Sequence, residues 1–384
     1  MKIKVLHAAK LYAPAGGGME TVLRDLCDGT AHAWEVSVVA AHEQPATVRE
    51  RCGEVDVVRA AAYGQAASVP LCPTLPIELW RREADCVVLH EPNPIAGTSL
   101  FLHTPAPRLV VWHHSDLVRP WWAPPTYGRL QRALYRRADC VIASSPALAE
   151  ASPQIRAARR VAIIPFGVEL RRYTTTDAAT DARVAAIRAR LRGPRVLFVG
   201  RLVYYKGVHV LLQAIARTRA SLILVGDGPL EPSLRDTVAS LGIADRIVFA
   251  GHVTDDDLRA YYRASDLFVL PSIARTEAFG VVQIEAMASG LPVVSTNLPT
   301  GVPWVNKDGD SGLVVEPDDV HALAQAIRRV TEDVALRQRL ASGALRRAQT
   351  MFARERMVGA FQTLIETVVR TPERLDEALR EALA

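Results

Sequence analysis

The sequence is short of the features that would mark it as secreted, metal-bound or membrane-spanning. Its five cysteines, Cys27, Cys52, Cys72, Cys86 and Cys140, are odd in number, widely spaced and never arranged as Cys-x-x-Cys. They are expected to be reduced thiols, neither a disulfide framework nor a thiolate metal site. No apolar run is long enough to span a bilayer. The opening MKIKVLHAA is a short strand pattern without the longer apolar stretch and cleavage signal of a secretory peptide. The expected location is therefore cytoplasmic. Two phosphate motifs are also missing: there is no Gly-x-Gly-x-x-Gly and no P-loop ending in Lys-Ser/Thr, which removes the main support for NAD and ATP readings.

What is present is a chain of 384 residues, 49 % hydrophobic and 23 % charged, the values of a globular protein with enough length for two cores. Apolar strands that end in Gly, Ser or His alternate with amphipathic helices, an α/β pattern. The expected strands are residues 3–8, 35–40, 55–59, 86–90, 108–112, 140–143 and 160–164 in the first half. In the second half they are 195–199, 222–225, 247–250, 267–270 and 293–295. The halves meet near Pro165-Phe166-Gly167 and the polar stretch to Asp181. This gives an expected N-terminal Rossmann-like domain over 1–167 and a C-terminal one over 168–384, with final helices able to pack back on the first. Two doubly wound domains would face each other across a cleft, and their ligands would lie beyond the carboxyl ends of the strands.

The stretch from Leu267 to Thr296 holds two carboxylates, Glu277 and Glu285, with Phe279-Gly280 between them. Glu277 is expected in a loop after a strand. Glu285 falls inside a short helix, 281–288, whose other residues are nearly all apolar, so it would be buried unless paired. Ordinary roles, a first-turn acid and a surface acid, remain open. Gly200-Arg201 follows one strand and Lys206-Gly207 precedes the next helix, placing two cations at a helix start where only an anion would favour them. Val225-Gly226-Asp227-Gly228-Pro229 gives another close backbone approach, and Gly16-Gly17-Gly18 before a helix offers N–H groups to an anion or forms a plain flexible loop. Thr254 followed by three aspartates reads as a helix cap, so no metal is assigned. His113-His114-Ser115-Asp116 sits at a strand end, and adjacent extended side chains diverge, so no more than one of these histidines would face a site.

The net charge of +5 is unevenly placed: 117–137 holds Arg119, Arg129, Arg132, Arg136 and Arg137 without an acid, interleaved with Trp121, Trp122, Tyr127 and Tyr135. That composition suits an anionic membrane surface, or equally a helix with a solvated basic face and Leu130 and Leu134 inward. No nucleic-acid motif accompanies it.

With these pieces placed, the chain resembles the GT-B retaining glycosyltransferases of family four over essentially its whole length. The matching residues are Gly17-Gly18-x-Glu20, His114 with Ser115-Asp116, Gly200-Arg201 with Lys206-Gly207, the Gly226 turn, and Glu277 seven residues before Glu285. The resemblance implies a nucleotide-sugar donor held mainly by the C-terminal domain, and transfer that retains the anomeric configuration without a metal or other cofactor. Residue by residue it implies Arg201 and Lys206 on the diphosphate, Glu285 on the ribose, and Glu277 on the donor sugar with the backbone of Phe279 and Gly280. Gly17 and Gly18 would approach the diphosphate, and His114 would lie beside the transferred sugar.

Residues 297–306, NLPTGVPWVN, depart from the commoner glycine-rich loop and look similar to bacterial polysaccharide mannosyl- and rhamnosyltransferases. That implies a hexose from a GDP-sugar, with a UDP-sugar as second choice, and a saccharide or lipid-linked acceptor at the inner face of a membrane. Two other activities stay open: a nucleotide-sugar epimerase, and a glycoside hydrolase using Glu277 and Glu285.

Overall fold

The computed structural model describes residues 2–14, 17–66, 69–116 and 123–381. The chain divides into two compact units, residues 1–166 together with 354–384, and residues 167–353.

The first unit contains β1 (Lys4–Ala8), β2 (Glu35–Ala41), β3 (Val48–Cys52), β4 (Val55–Ala60), the two-residue pair β5 (Gln65–Ala66) and β6 (Val69–Pro70), β7 (Cys86–Glu91), β8 (Arg108–His113), β9 (Cys140–Ala143) and β10 (Val161–Ile163). Eight of them form one sheet in the order β10-β9-β8-β7-β1-β2-β4-β3. All its pairings are parallel except β3 with β4. Every residue of β7 is buried, as expected of a parallel strand covered on both faces. The chain starts at β1, builds outward on one side, then resumes with β7 on the other, so the switch point lies between β1 and β7.

In the second unit β11 (Arg195–Val199), β12 (Ser221–Val225), β13 (Ile247–Gly251), β14 (Leu267–Leu270), β15 (Val293–Thr296) and β16 (Gly312–Val315) form a parallel sheet ordered β13-β12-β11-β14-β15-β16. In chain order this is 3-2-1-4-5-6, the dinucleotide-fold order, with its switch point between β11 and β14. Leu211, Leu212 and Ile215 of the helix Val208–Ala216 pack into the core of that sheet.

Every strand expected from apolar runs is present. The strands not expected are β3, the short pair β5 and β6, and β16. The edge strand β3 reads VRERC and is mostly exposed; charge on an edge blocks pairing with another chain and hides the strand from an apolar count. The polar stretch after Gly167 is partly helical, Arg171–Thr174 and then Ala178–Arg190, the latter capped by the Asp177 carboxylate accepting from Thr180 N at 2.7 Å. Thr371 makes no capping bond, and Pro372–Arg374 is a 3-10 turn.

Residues 354–384 belong with the first unit. The reason is hydrophobic: Phe361 of the helix Arg354–Arg370 is fully buried, with ring centroids 5.9 Å from His7, 6.0 Å from Trp34 and 5.5 Å from Trp112.

Candidate functional site

In the second unit the switch point is built by two loops. After β11 the chain turns at Gly200, and Tyr204–Lys206 forms a 3-10 turn ending at Gly207. Gly207 has φ 68°, and a Cβ there would stand 2.0 Å from the Pro271 carbonyl oxygen after β14. Only glycine lets the two loops meet this closely. The contact sets Lys206 Nζ 2.5 Å from Glu277 Oε2, with both side chains nearly buried. Ser272 Oγ donates to the same carboxylate oxygen at 3.1 Å, and Thr296 Oγ1 from β15 donates to the Ser272 carbonyl at 2.6 Å. Burial is the largest single effect and works against the Lys206 ammonium, but the Glu277 charge, Tyr205 and the hydrogen bond to Glu277 together outweigh it and the pKa is raised. Lys206 is thus cationic, and its anion at the helix start is Glu277. Its position alone therefore does not require a ligand. Arg201 is exposed and has no ion pair among the described residues, and it remains the cation available to an anion from solvent.

Glu277 lies in the loop and Glu285 in the helix Val281–Ala288. Glu285 is partly buried and paired as required: Tyr262 OH donates to Oε2 at 2.7 Å, and Tyr173 is a second phenol on the carboxylate. Burial raises its pKa, and the two phenols and Arg172 oppose that. A carboxylate has about four acceptor positions, so this one retains capacity for further donors. Phe279 and Gly280 lead into the same helix. The Phe279 ring is buried near Trp304 and Phe352, at 6.2 and 6.1 Å, and its carbonyl accepts from Gln283 Nε2 at 3.0 Å. Gly226, φ 116°, approaches the Gly200 carbonyl so closely that a Cβ would lie 2.3 Å from it.

In the first unit Gly17 and Gly18 lead from β1 into the helix Gly18–Thr30, and the Glu20 carboxylate folds back onto Gly17. Gly16 lies outside the described residues. Arg59 donates to the carbonyls of Tyr12, at 2.9 Å, and Ala13, tying the stem of this loop to β4. His114 follows β8 and is buried; with Lys10, Glu20, His90 and Pro92 it lines a small recess beyond β1 and β7. His114 Nε2 is 2.9 Å from His90 Nδ1, and His90 Nε2 is 3.0 Å from His7 Nδ1. Burial lowers the pKa of His114 and of His7 to about 3, and of His90 well below its usual value. All three rings are neutral.

His113 diverges, as adjacent extended residues must, toward Tyr135 OH at 2.7 Å and Asp116 Oδ1 at 3.2 Å. Next to it Glu91 is fully buried and accepts from Tyr127 OH at 2.6 Å, Gln131 Nε2 at 3.1 Å and the Asn93 N–H at 2.8 Å. This corrects the aromatic part of the 117–137 patch. Tyr135 is buried and Tyr127 is turned to Glu91, because both hydroxyls have polar partners inside the unit. Arg129, Arg136 and Arg137 of the helix Ala123–Arg137 are exposed; Arg119, Trp121 and Trp122 lie outside the described residues. Residues that sequence reasoning missed are His7, His90, Glu91 and Ser272. Their only sequence signal is a polar group at or near a strand end.

The chain matches known proteins in sequence and in fold. Residues 182–347 match the family model described as glycosyl transferases group 1, and residues 16–172 match glycosyltransferase family 4. The chain is 30 % identical over 377 residues to O-antigen chain mannosyltransferase C of Escherichia coli, covering 96 % of this chain and 100 % of that one. It is 32 % identical over 358 residues to D-rhamnosyltransferase WbpZ of Pseudomonas aeruginosa, covering 91 % and 92 %. Among solved structures, sucrose-phosphate synthase from Thermosynechococcus elongatus superposes with a TM-score of 0.80 at 23 % identity, over 95 % of this chain and 99 % of that one. Anabaena Alr3699/HepE in complex with UDP-glucose superposes with a TM-score of 0.77 at 22 % identity, over 95 % and 100 %. The chain belongs to the family-four glycosyltransferases. Its two α/β units have the GT-B fold, and it is a transferase.

Proposed function

We propose that the protein moves a hexose, mannose or rhamnose, from a nucleotide sugar to a saccharide or lipid-linked saccharide in cell-surface polysaccharide synthesis, with retention and without a metal. The observation that carries this reading is the switch point of the second sheet, where Lys206, Glu277 and the exposed Arg201 converge beyond β11 and β14. Arg201 and Lys206 would neutralise a departing nucleoside diphosphate, work a metal does in other transferases. Glu277, paired with Lys206, would accept from the donor sugar's hydroxyls, and Glu285 from the ribose. The Phe279–Gly280 backbone and the Gly226 turn complete donor binding. Gly17 and Gly18 are assigned to the diphosphate and His114 to the transferred sugar.

The mannosyl- and rhamnosyltransferase names of the two relatives support a GDP-sugar, and the UDP-glucose complex of a structural neighbour keeps a UDP-sugar as second choice. With no residue assigned as a nucleophile, attack on the same face is favoured, the leaving phosphate oxygen taking the acceptor's proton; a trapped sugar–enzyme adduct would overturn that step. No helix among the described residues is long and apolar enough to cross a membrane. A lipid-linked acceptor would be met at the surface, with Arg129 and Arg136 facing anionic head groups.

The test is a screen of GDP- and UDP-sugars, with and without a lipid-linked acceptor and in EDTA, following nucleotide release and product. Acceptor-dependent release of GDP in EDTA is expected. Release of free sugar from a glycoside, or conversion of the donor without an acceptor, would overturn the reading.

A further inference from the structure

Three histidines climb the first sheet as a staircase. β1 pairs with β7 so that His7 stands opposite Val88, and β7 pairs with β8 so that His90 stands opposite Trp112. Side chains alternate faces along a strand, so His90, two residues beyond Val88, shares the face of His7. His114, two beyond Trp112, shares the face of His90. Each step moves one strand across and two residues toward the carboxyl edge, and each is spanned by a nitrogen–nitrogen contact, 3.0 Å and then 2.9 Å. Trp112 and Phe166 hold the last ring by stacking, with centroids 5.8 and 5.4 Å from it.

A chain of neutral imidazoles can run in only two directions, since each ring carries one N–H and one bare nitrogen. Both ends of this chain are buried nitrogens without a hydrogen-bond partner, His7 Nε2 and His114 Nδ1. Running toward His7 would leave a bare N–H deep in the unit beside Phe361, and an orphaned buried donor is the rarer and costlier defect. Running toward His114 leaves a lone pair at His7 and puts the N–H on His114 Nδ1, which is likewise buried and unpartnered but belongs to a ring that lines the recess with Lys10 and Glu20.

We propose that His7 and His90 are positioning residues for His114: His7 Nδ1–H donates to His90 Nε2, His90 Nδ1–H donates to His114 Nε2, and His114 thereby presents Nδ1–H to an oxygen of the substrate. The inference rests on the assignment of His114 to the transferred sugar. It adds that this histidine is a fixed donor, held in the tautomer that is the minor one for free histidine.

The test is 15N NMR of the full-length protein labelled at histidine, which distinguishes protonated from bare ring nitrogens. In the unsubstituted protein His114 is expected to carry its proton on Nδ1. His90→Leu should return it to Nε2 and lower kcat by about a hundredfold to a thousandfold, the scale of one lost donor, with the donor KM nearly unchanged. His90→Asn, whose amide nitrogen falls near the position of Nδ1, should keep the Nδ1–H form and most of kcat. A proton on Nε2 of His114 in the unsubstituted protein overturns the proposal without any variant, as does an unchanged tautomer in folded His90→Leu. If the tautomer is as proposed but no hexose is transferred from any donor, the activity assignment fails and the relay stands.

Discussion

Among single residues, the two glutamates have separate jobs because they have separate partners. Glu277 is held by Lys206 and Ser272, Glu285 by Tyr262 and Tyr173. Glu285→Ala should weaken nucleotide binding, read by calorimetry, and also leave the buried Tyr262 hydroxyl with only its longer bond to the Val282 carbonyl, at 3.3 Å, for a stability loss of about 1–3 kcal/mol. Glu277→Ala should chiefly reduce transfer while nucleotide affinity falls less. Equal nucleotide affinity in the Glu285 variant and the unsubstituted protein would refute the division. That Glu285 needed a partner was legible, since its helix is otherwise apolar. The identity of that partner was not: Tyr262 comes from another helix, Asp255–Ala264, and meets Glu285 only through tertiary packing. The same holds for His90, whose bonds to His7 and His114 depend on the registers of three strands.

At the level of elements, loops rather than strands decide the geometry. Apolar runs announced the parallel strands other than β16, and the helices Val208–Ala216 and Val281–Ala288, because burial on both faces leaves a dense hydrophobic signature. They did not announce β3, whose charges serve its edge position. Gly207 is where two loops are locked together, and Gly207→Ala would force both a left-handed backbone on a residue with Cβ and a clash with the Pro271 carbonyl. The second unit should lose about 1–3 kcal/mol of stability, and the Lys206–Glu277 pair should be displaced, reducing donor binding. A variant as stable as the original, with unchanged donor affinity, would show that this approach is not needed.

Across the whole molecule the two units differ in how they respond to acid. The first holds three buried neutral histidines; for His7 and His114 the folded pKa is about 3, against 6.5 in the unfolded chain. Between those values the unfolded chain binds protons that the fold refuses, so their contribution is full above pH 6.5 and is lost as pH falls toward 3. Each such histidine contributes a slope of about 1.4 kcal/mol per pH unit. Glu20 and Glu91, whose pKa burial raises from the ordinary 4.5, act in the opposite sense as pH falls toward that value. Melting curves recorded from pH 7 to 4 should therefore show the first unit weakening, and His7→Phe should flatten that dependence. An unaltered slope in the variant would mean that His7 titrates normally.

The return of the helix Arg354–Arg370 to the sheet that begins at Lys4 also sets an order of events during synthesis. The unit of residues 167–353 has all its parts as soon as Ala353 has left the ribosome. The earlier-made unit does not, because Phe361, which fills the space between His7, Trp34 and Trp112, is still to come. Its contacts span most of the chain, and such contacts form slowly. The half translated first is thus the half completed last, and until then its apolar face is the surface that chaperones would have to shield.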